Sequence, residues 1–144
     1  METPIAYNSL VLGTLPARHA RYRPHHTAVI VPGRTAQDRD VRLTWREFDA
    51  YVNRLANVLT SLGTHRGDRV ATMLPNSLEL LATYWACAKA GAAIVPLSTL
   101  LTAPGLQSLL VDARPRVVLA SSDYLSVLQQ VRPCLLYTSD AADE

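Results

Sequence analysis

The sequence predicts an α/β fold with a mostly parallel sheet flanked by helices. Short runs rich in Val, Ile and Ala, at 27–31, 69–74, 92–97 and 116–120, alternate with stretches whose apolar residues recur at helical spacing. The later spacers are long enough for crossover helices, which parallel strands require and which follow a right-handed path. A chain of 144 residues, 49% hydrophobic and with mean hydropathy +0.07, suffices for one modest core.

Each element has a local reason. Residues 8–22 predict a helix with Leu10, Val11, Leu15 and His19 as a loose inward stripe, stopped by Pro24. Thr27–Val31 reads as a strand. Pro32-Gly33 opens a polar loop to Asp40, and Val41–Leu43 can pair back as a second strand. Thr44 with Glu47 three residues on is a capping box. Behind it Trp45, Phe48, Val52, Leu55, Ala56, Leu59 and Leu62 recur at helical spacing, with Arg46, Asp49, Asn53, Arg54, Asn57 and Thr60 on the other face. Gly63 stands where a left-handed residue ends a helix, and Arg66-Gly67-Asp68 makes a turn.

Arg69–Leu74 is a mostly buried strand ended by Pro75. Asn76 is the expected cap of the next helix, with Glu79 three residues on. Leu78, Leu81, Ala82, Trp85 and Ala86 carry that helix to Gly91. Ala92–Leu97 is a further strand. Thr102 caps a shorter helix with Pro104 in its first turn, where a missing N–H costs little, and Leu106, Leu109, Leu110 and Ala113 are its inward residues. Arg116–Ala120 is the last strand, and Ser121–Val131 a loop with a short helix.

Composition narrows the function classes. No apolar run approaches the roughly 18–20 residues of a membrane span, and the start carries an acid and no basic segment, so neither a transmembrane segment nor a secretory signal is expected. Cys87 and Cys134 fit no disulfide framework or zinc spacing. A cytoplasmic setting follows. The net charge is +2, and every cation but Lys89 is Arg. Arg18, Arg21 and Arg23 cluster with His19, His25 and His26. This cluster reads either as contact with a phosphate or acidic partner, or as a helix C-terminus decorated with cations. No aromatic interleaving supports nucleic-acid binding.

The chemistry-bearing motifs are mostly missing. The turn Pro75-Asn76-Ser77 has no glycine, so backbone amides cannot approach a pyrophosphate as dinucleotide binding demands. The histidines have no Cys or carboxylate at ligand spacing, and Ser121-Ser122-Asp123 lacks the glycines of a nucleophile elbow. The residues themselves assign no catalytic, cofactor-binding or metal-ligating position.

Three segments taken together carry a resemblance. Leu43-Thr44-Trp45-Arg46-Glu47-Phe48 with Asn53-Arg54-Leu55-Ala56 resembles the first core motif of the adenylate-forming (AMP-binding) superfamily. Gly67–Ala71 and Leu74–Glu79 are similar to the segment that follows it, and Ala88–Leu97 to the second core motif. Order and spacing match over about residues 8–133, and the wording Pro75-Asn76 and Val95-Pro96-Leu97-Ser98 is most similar to bacterial fatty-acyl-CoA synthetases. The resemblance implies an incomplete N-terminal subdomain of an enzyme that activates a carboxylic acid with ATP as an acyl-adenylate, then forms a thioester with CoA. ATP, Mg²⁺ and CoA are implied for the full-length parent. A peptide-synthetase adenylation domain and a non-catalytic α/β binding module are the alternatives. The family's phosphate loop, ribose-binding acid and catalytic lysine lie downstream, so the fragment itself is expected to be inactive and marginally stable.

Leu136-Tyr137-Thr138-Ser139 resembles the opening of that phosphate loop, but Asp140 stands where glycine belongs and no Lys follows. Residues 134–144 instead resemble a translated transposase-adapter tail from a sequencing library. The expected division is therefore 1–133 as a partial AMP-binding N-terminal domain and 134–144 as a non-native tail. Without the tail, 14 cations face 9 acids, a net of +5.

Overall fold

The longest helix begins where its cap dictates. Thr44 is extended (φ −72°, ψ 165°), its hydroxyl accepts from the Glu47 backbone N–H, and the Glu47 carboxylate accepts from the Thr44 N–H at 2.8 Å. The expected capping box is closed. The computed structural model describes residues 11–33 and 39–131. Within them the order is α1 (Leu15–Tyr22), β1 (Thr27–Val31), β2 (Val41–Thr44), α2 (Trp45–Ser61), β3 (Arg69–Met73), α3 (Leu78–Ala90), β4 (Ala93–Pro96), α4 (Ala103–Ala113) and β5 (Val117–Ala120). A last helix, α5, covers 125–131.

The strands form two sheets. β1 and β2 make a two-stranded antiparallel hairpin, from Thr27↔Thr44 to Val31↔Val41, with a register shift between Thr27 and Val29. β2 runs into α2 without an intervening residue, which holds the hairpin at the start of that helix. The parallel sheet has the order β4-β3-β5, with Ala71 opposite Val95 on one side and Val118 on the other.

That order decides the layering. The chain steps from β3 sideways to β4, then back across β3 to β5. Two right-handed crossovers in opposite lateral directions place α3 and α4 on opposite faces of the sheet. Alternation along β3 agrees. Val70 packs with Phe48, Val52, Leu59, Ala82, Ala86 and Cys87 on the α2–α3 side. Ala71 and Met73 pack with Leu97, Leu106, Leu110 and Val131 on the other, beneath α4 and α5.

Glycine matters at two places. Gly91 ends α3 in the left-handed region (φ 72°), its N–H donating to the Cys87 carbonyl, as a helix stop requires. Gly13 lies against α3 so closely that a Cβ there would stand 2.6 Å from the Ala88 carbonyl oxygen. At the same end of the sheet, before β5, Arg114 has positive φ (44°) as the C-cap of α4. The Arg69 guanidinium donates to the Ala113 and Arg114 carbonyls, satisfying the end of that helix.

Several expectations are corrected. Ser77, not Asn76, caps α3: it is extended (φ −151°, ψ 171°) and its hydroxyl accepts from the Leu80 N–H, so Pro75 and Asn76 belong to the turn. The first helix starts as a 3-10 turn at Leu12–Thr14. Val11 is exposed there, the fully buried position is Pro16, and Leu10 lies outside the described residues. Leu62, Leu81 and Leu109 are exposed although each fits a helical stripe. Leu62 has left the helix as its C-cap, and on α4 Leu106 and Leu110, one turn apart, take the inward line. Asp49 and Asn53, placed on the solvent face by sequence, turn to α3 and hold Lys89.

Candidate functional site

In an open α/β sheet a ligand binds outside the carboxyl ends of the strands, where the strand order reverses. In this chain that point lies between β3 and β5. It is bounded by Leu74-Pro75-Asn76-Ser77 after β3 and Ser121-Ser122-Asp123 after β5, with Leu97-Ser98-Thr99 beside them after β4. The rim is held by backbone bonds: the Ser121 N–H donates to the Met73 carbonyl at 3.2 Å and the Leu97 N–H to the Thr72 carbonyl at 2.8 Å.

The rim carries five hydroxyls, and three of them are engaged locally. Ser77 caps α3, the Ser98 hydroxyl accepts from the Leu100 N–H at 3.2 Å, and the Ser121 hydroxyl donates to the Asp123 carboxylate at 3.4 Å. None of the three loops contains a glycine, so no backbone amide nest can form there. Asp123 is the lone carboxylate on the three loops, and no Lys or Arg stands on them. These residues do not fit ATP with its metal: an acid repels phosphate, no cation offsets it, and the Leu80 amide in the first turn of α3 is taken by Ser77. Among the described residues no three His, Cys, Asp or Glu groups converge as a metal site.

The other groups singled out by sequence fall elsewhere. His19 leaves the basic cluster, its ring half-buried 4.4 Å from Trp45, while Arg18, Arg21, Arg23, His25 and His26 are exposed. Cys87 is buried in the α2–α3 core and burial pushes its thiol up to about 11, the opposite of a reactive thiolate. Cys134 and the phosphate-loop-like Leu136–Ser139 lie outside the described residues. An apolar groove of about 410 Å³ lined by Leu12, Leu81, Tyr84, Trp85 and Ile94 runs along α3 and β4. Sequence reasoning did not anticipate it, because it is assembled from three elements. No described helix is long and apolar enough to cross a membrane.

Comparison with known proteins gives a consistent result. A family model, AMP-binding enzyme, matches residues 16–144. The long-chain-fatty-acid–CoA ligase FadD13 of Mycobacterium tuberculosis is 36% identical over 121 residues, 84% of this chain and 23% of that protein. Feruloyl-CoA synthase of an Amycolatopsis species is 42% identical over 113 residues, 78% of this chain and 22% of that protein. Among solved structures, the N-terminal domain of FACL13 from Mycobacterium tuberculosis matches with a TM-score of 0.78 at 35% identity, over 86% of this chain and 30% of that one. The chain thus spans less than a quarter of the length of these curated relatives.

Proposed function

This chain belongs to the AMP-binding enzyme family, and from that premise we propose that it is the N-terminal portion of an ATP-dependent acyl-CoA synthetase. The parent activates a fatty or related carboxylic acid as its acyl-adenylate and transfers the acyl group to CoA, with ATP and Mg²⁺ as cofactors, in the cytoplasm. The observation that carries the reading is where the three motif segments fall. They supply in order the cap and body of α2, β3 with the start of α3, and the end of α3 with β4. All three are scaffold, and the identity to two CoA-ester-forming enzymes runs across them. The portion itself is inactive in this reading, because its strand-end rim holds neither a glycine nest nor a cation. Residues 1–133 are the domain portion and 134–144 a non-native tail.

The test begins with the genomic DNA across the codons for Val131–Glu144, read without a transposase adapter. The expected reading frame continues past Pro133 into a Gly/Ser/Thr-rich loop ending in Lys. The restored enzyme then shows fatty-acid-dependent ATP–pyrophosphate exchange and forms a CoA thioester, while the 144-residue chain shows neither. Genomic DNA that encodes Cys134–Glu144 and then stops overturns the proposal in favour of a non-catalytic binding module. A restored enzyme that loads a carrier protein but not CoA makes it a peptide-synthetase adenylation domain.

A further inference from the structure

The scaffold leaves one concave surface without a role. The groove of about 410 Å³ along α3 and β4 is lined by Leu12, Leu81, Tyr84, Trp85, Ala88 and Ile94. Its volume falls within the roughly 300–1,000 Å³ of small-ligand sites. Leu81, Tyr84, Trp85 and Ala88 follow i, i+3, i+4, i+7 spacing, so they make one continuous line on α3, about 10 Å long. Gly13 packs against the Ala88 carbonyl, which brings the preceding Leu12 to the groove wall.

The edge beside the groove does not suit a peptide. β4 is an edge strand among the described residues. The Ala93 N–H donates inward to the Asp68 carbonyl and the Leu97 N–H to the Thr72 carbonyl, both at 2.8 Å. Alternate residues of a parallel strand bond to the same neighbour, so Ile94 and Pro96 face the open side. Pro96 has no N–H to donate, which leaves an added strand the single donor of Ile94. A chain of methylenes needs no donor, only apolar surface to cover.

The two ends of the groove differ in charge. Ala92 continues its wall past the end of α3. The stem of the exposed Arg66 lies against Gly91 next to it, with Cγ 3.0 Å from where a Gly91 Cβ would stand. Among the described residues no ion pair holds Arg66. Asp68 is occupied, accepting from the His65 N–H at 2.7 Å, and Lys89 is paired with Asp49. At the other end Leu81 is exposed, and Glu79, two residues before it, falls on the opposite side of the helix.

We infer that this groove binds a long-chain aliphatic anion, with its chain along Leu81, Tyr84, Trp85 and Ala88 and its carboxylate at Arg66. An apolar trough ending at one unpaired cation is complementary to an amphiphile of that polarity. The inference is independent of the ligase reading.

The test is titration of the 144-residue chain with dodecanoate carrying a terminal bromine, kept below its micelle concentration and followed by quenching of Trp85. The other tryptophan, Trp45, is stacked on His19 and lines no part of the groove. The expected result is saturable quenching that Trp85→Phe removes. Affinity rises roughly two- to four-fold for each CH₂ added from octanoate to dodecanoate. Leu81→Asn weakens binding about ten-fold, while Leu109→Asn, at a similarly exposed leucine of α4, leaves it unchanged. Arg66→Gln weakens it about two- to five-fold and removes the preference for dodecanoate over dodecanol. Circular dichroism confirms that the variants keep the parent spectrum. Absence of saturable quenching, quenching that survives Trp85→Phe, no dependence on chain length, equal loss in Leu81→Asn and Leu109→Asn, or dodecanol bound as well as dodecanoate overturns the inference. So does a concentration-dependent dimer in sedimentation that Leu81→Asn abolishes, which makes the groove an interface between two copies of the chain.

Discussion

The Lys89 ammonium lies 2.6 Å from the Asp49 carboxylate, joining the second turn of α2 to the end of α3 across 40 residues of sequence, with both side chains only 16% exposed. Asn53, one turn on from Asp49, also accepts from Lys89, and the Asn53 amide donates back to Asp49 at 3.1 Å. The sole lysine of the chain is thus a strut between the two helices that cover one face of the sheet. Lys89→Met leaves the Asp49 carboxylate half-buried and unpaired. The expected loss is about 1–2 kcal/mol in urea unfolding, below the 3–5 of a fully buried pair because water still reaches this one. Asp49→Asn with Lys89→Met together should lose less than the sum of the single changes, which a double-mutant cycle reads directly.

The start of α3 distinguishes two neighbouring residues. Ser77 is the cap, so Ser77→Ala should cost about 1 kcal/mol, while Asn76→Ala stays within about 0.5 kcal/mol. Equal effects at both positions would contradict the observed cap geometry. Urea midpoints of the two variants settle the comparison.

Acid stability should carry a signature of the α2 cap. Hydrogen bonds from the Thr44 backbone and then its side chain hold the Glu47 carboxyl below its ordinary value. A depressed folded value means that the contribution is present above the unfolded value and is lost as pH falls through the folded one. Glu47→Gln should flatten that acidic limb and leave the neutral region otherwise parallel, as followed by unfolding across the acid range.

At the alkaline end Cys87 works in the opposite sense. Burial raises its thiol to about 11 from an ordinary 9.0, so the folded state favours the neutral form. Its contribution is full below the unfolded value and is lost as pH rises through about 11. Burial also raises Tyr51, with Glu79 adding to the shift, which reinforces the alkaline loss. Cys87→Ala should reduce the alkaline slope measured by thermal unfolding, while the part due to Tyr51 remains.

Gly13 is fixed by contact rather than by its backbone angles. A methyl group there meets the Ala88 carbonyl oxygen at 2.6 Å. Gly13→Ala should therefore cost about 1–3 kcal/mol through displacement of the entry turn from α3. Chemical denaturation would show it as a lower midpoint with unchanged slope.

Much of the fold was legible from local signals. The box at Thr44 and Glu47, the stops at Gly63 and Gly91, and the apolar runs of β3, β4 and β5 each rest on chemistry within a few residues. So does the absence of a glycine-lined anion site after β3. Three segments in fixed order then identified the family, because their spacing is set by the same α2–β3–α3–β4 scaffold. Tertiary structure alone decided the rest. The choice of Ser77 over Asn76 depends on which side-chain oxygen reaches the Leu80 N–H. The inward turn of Asp49 depends on Lys89 arriving from a different helix, and the exposure of Leu81 and Leu109 on where the sheet lies beneath each helix. Periodicity marks a stripe of apolar residues, but only packing against a particular neighbour fixes which edge of that stripe is covered and which polar group beside it finds a partner.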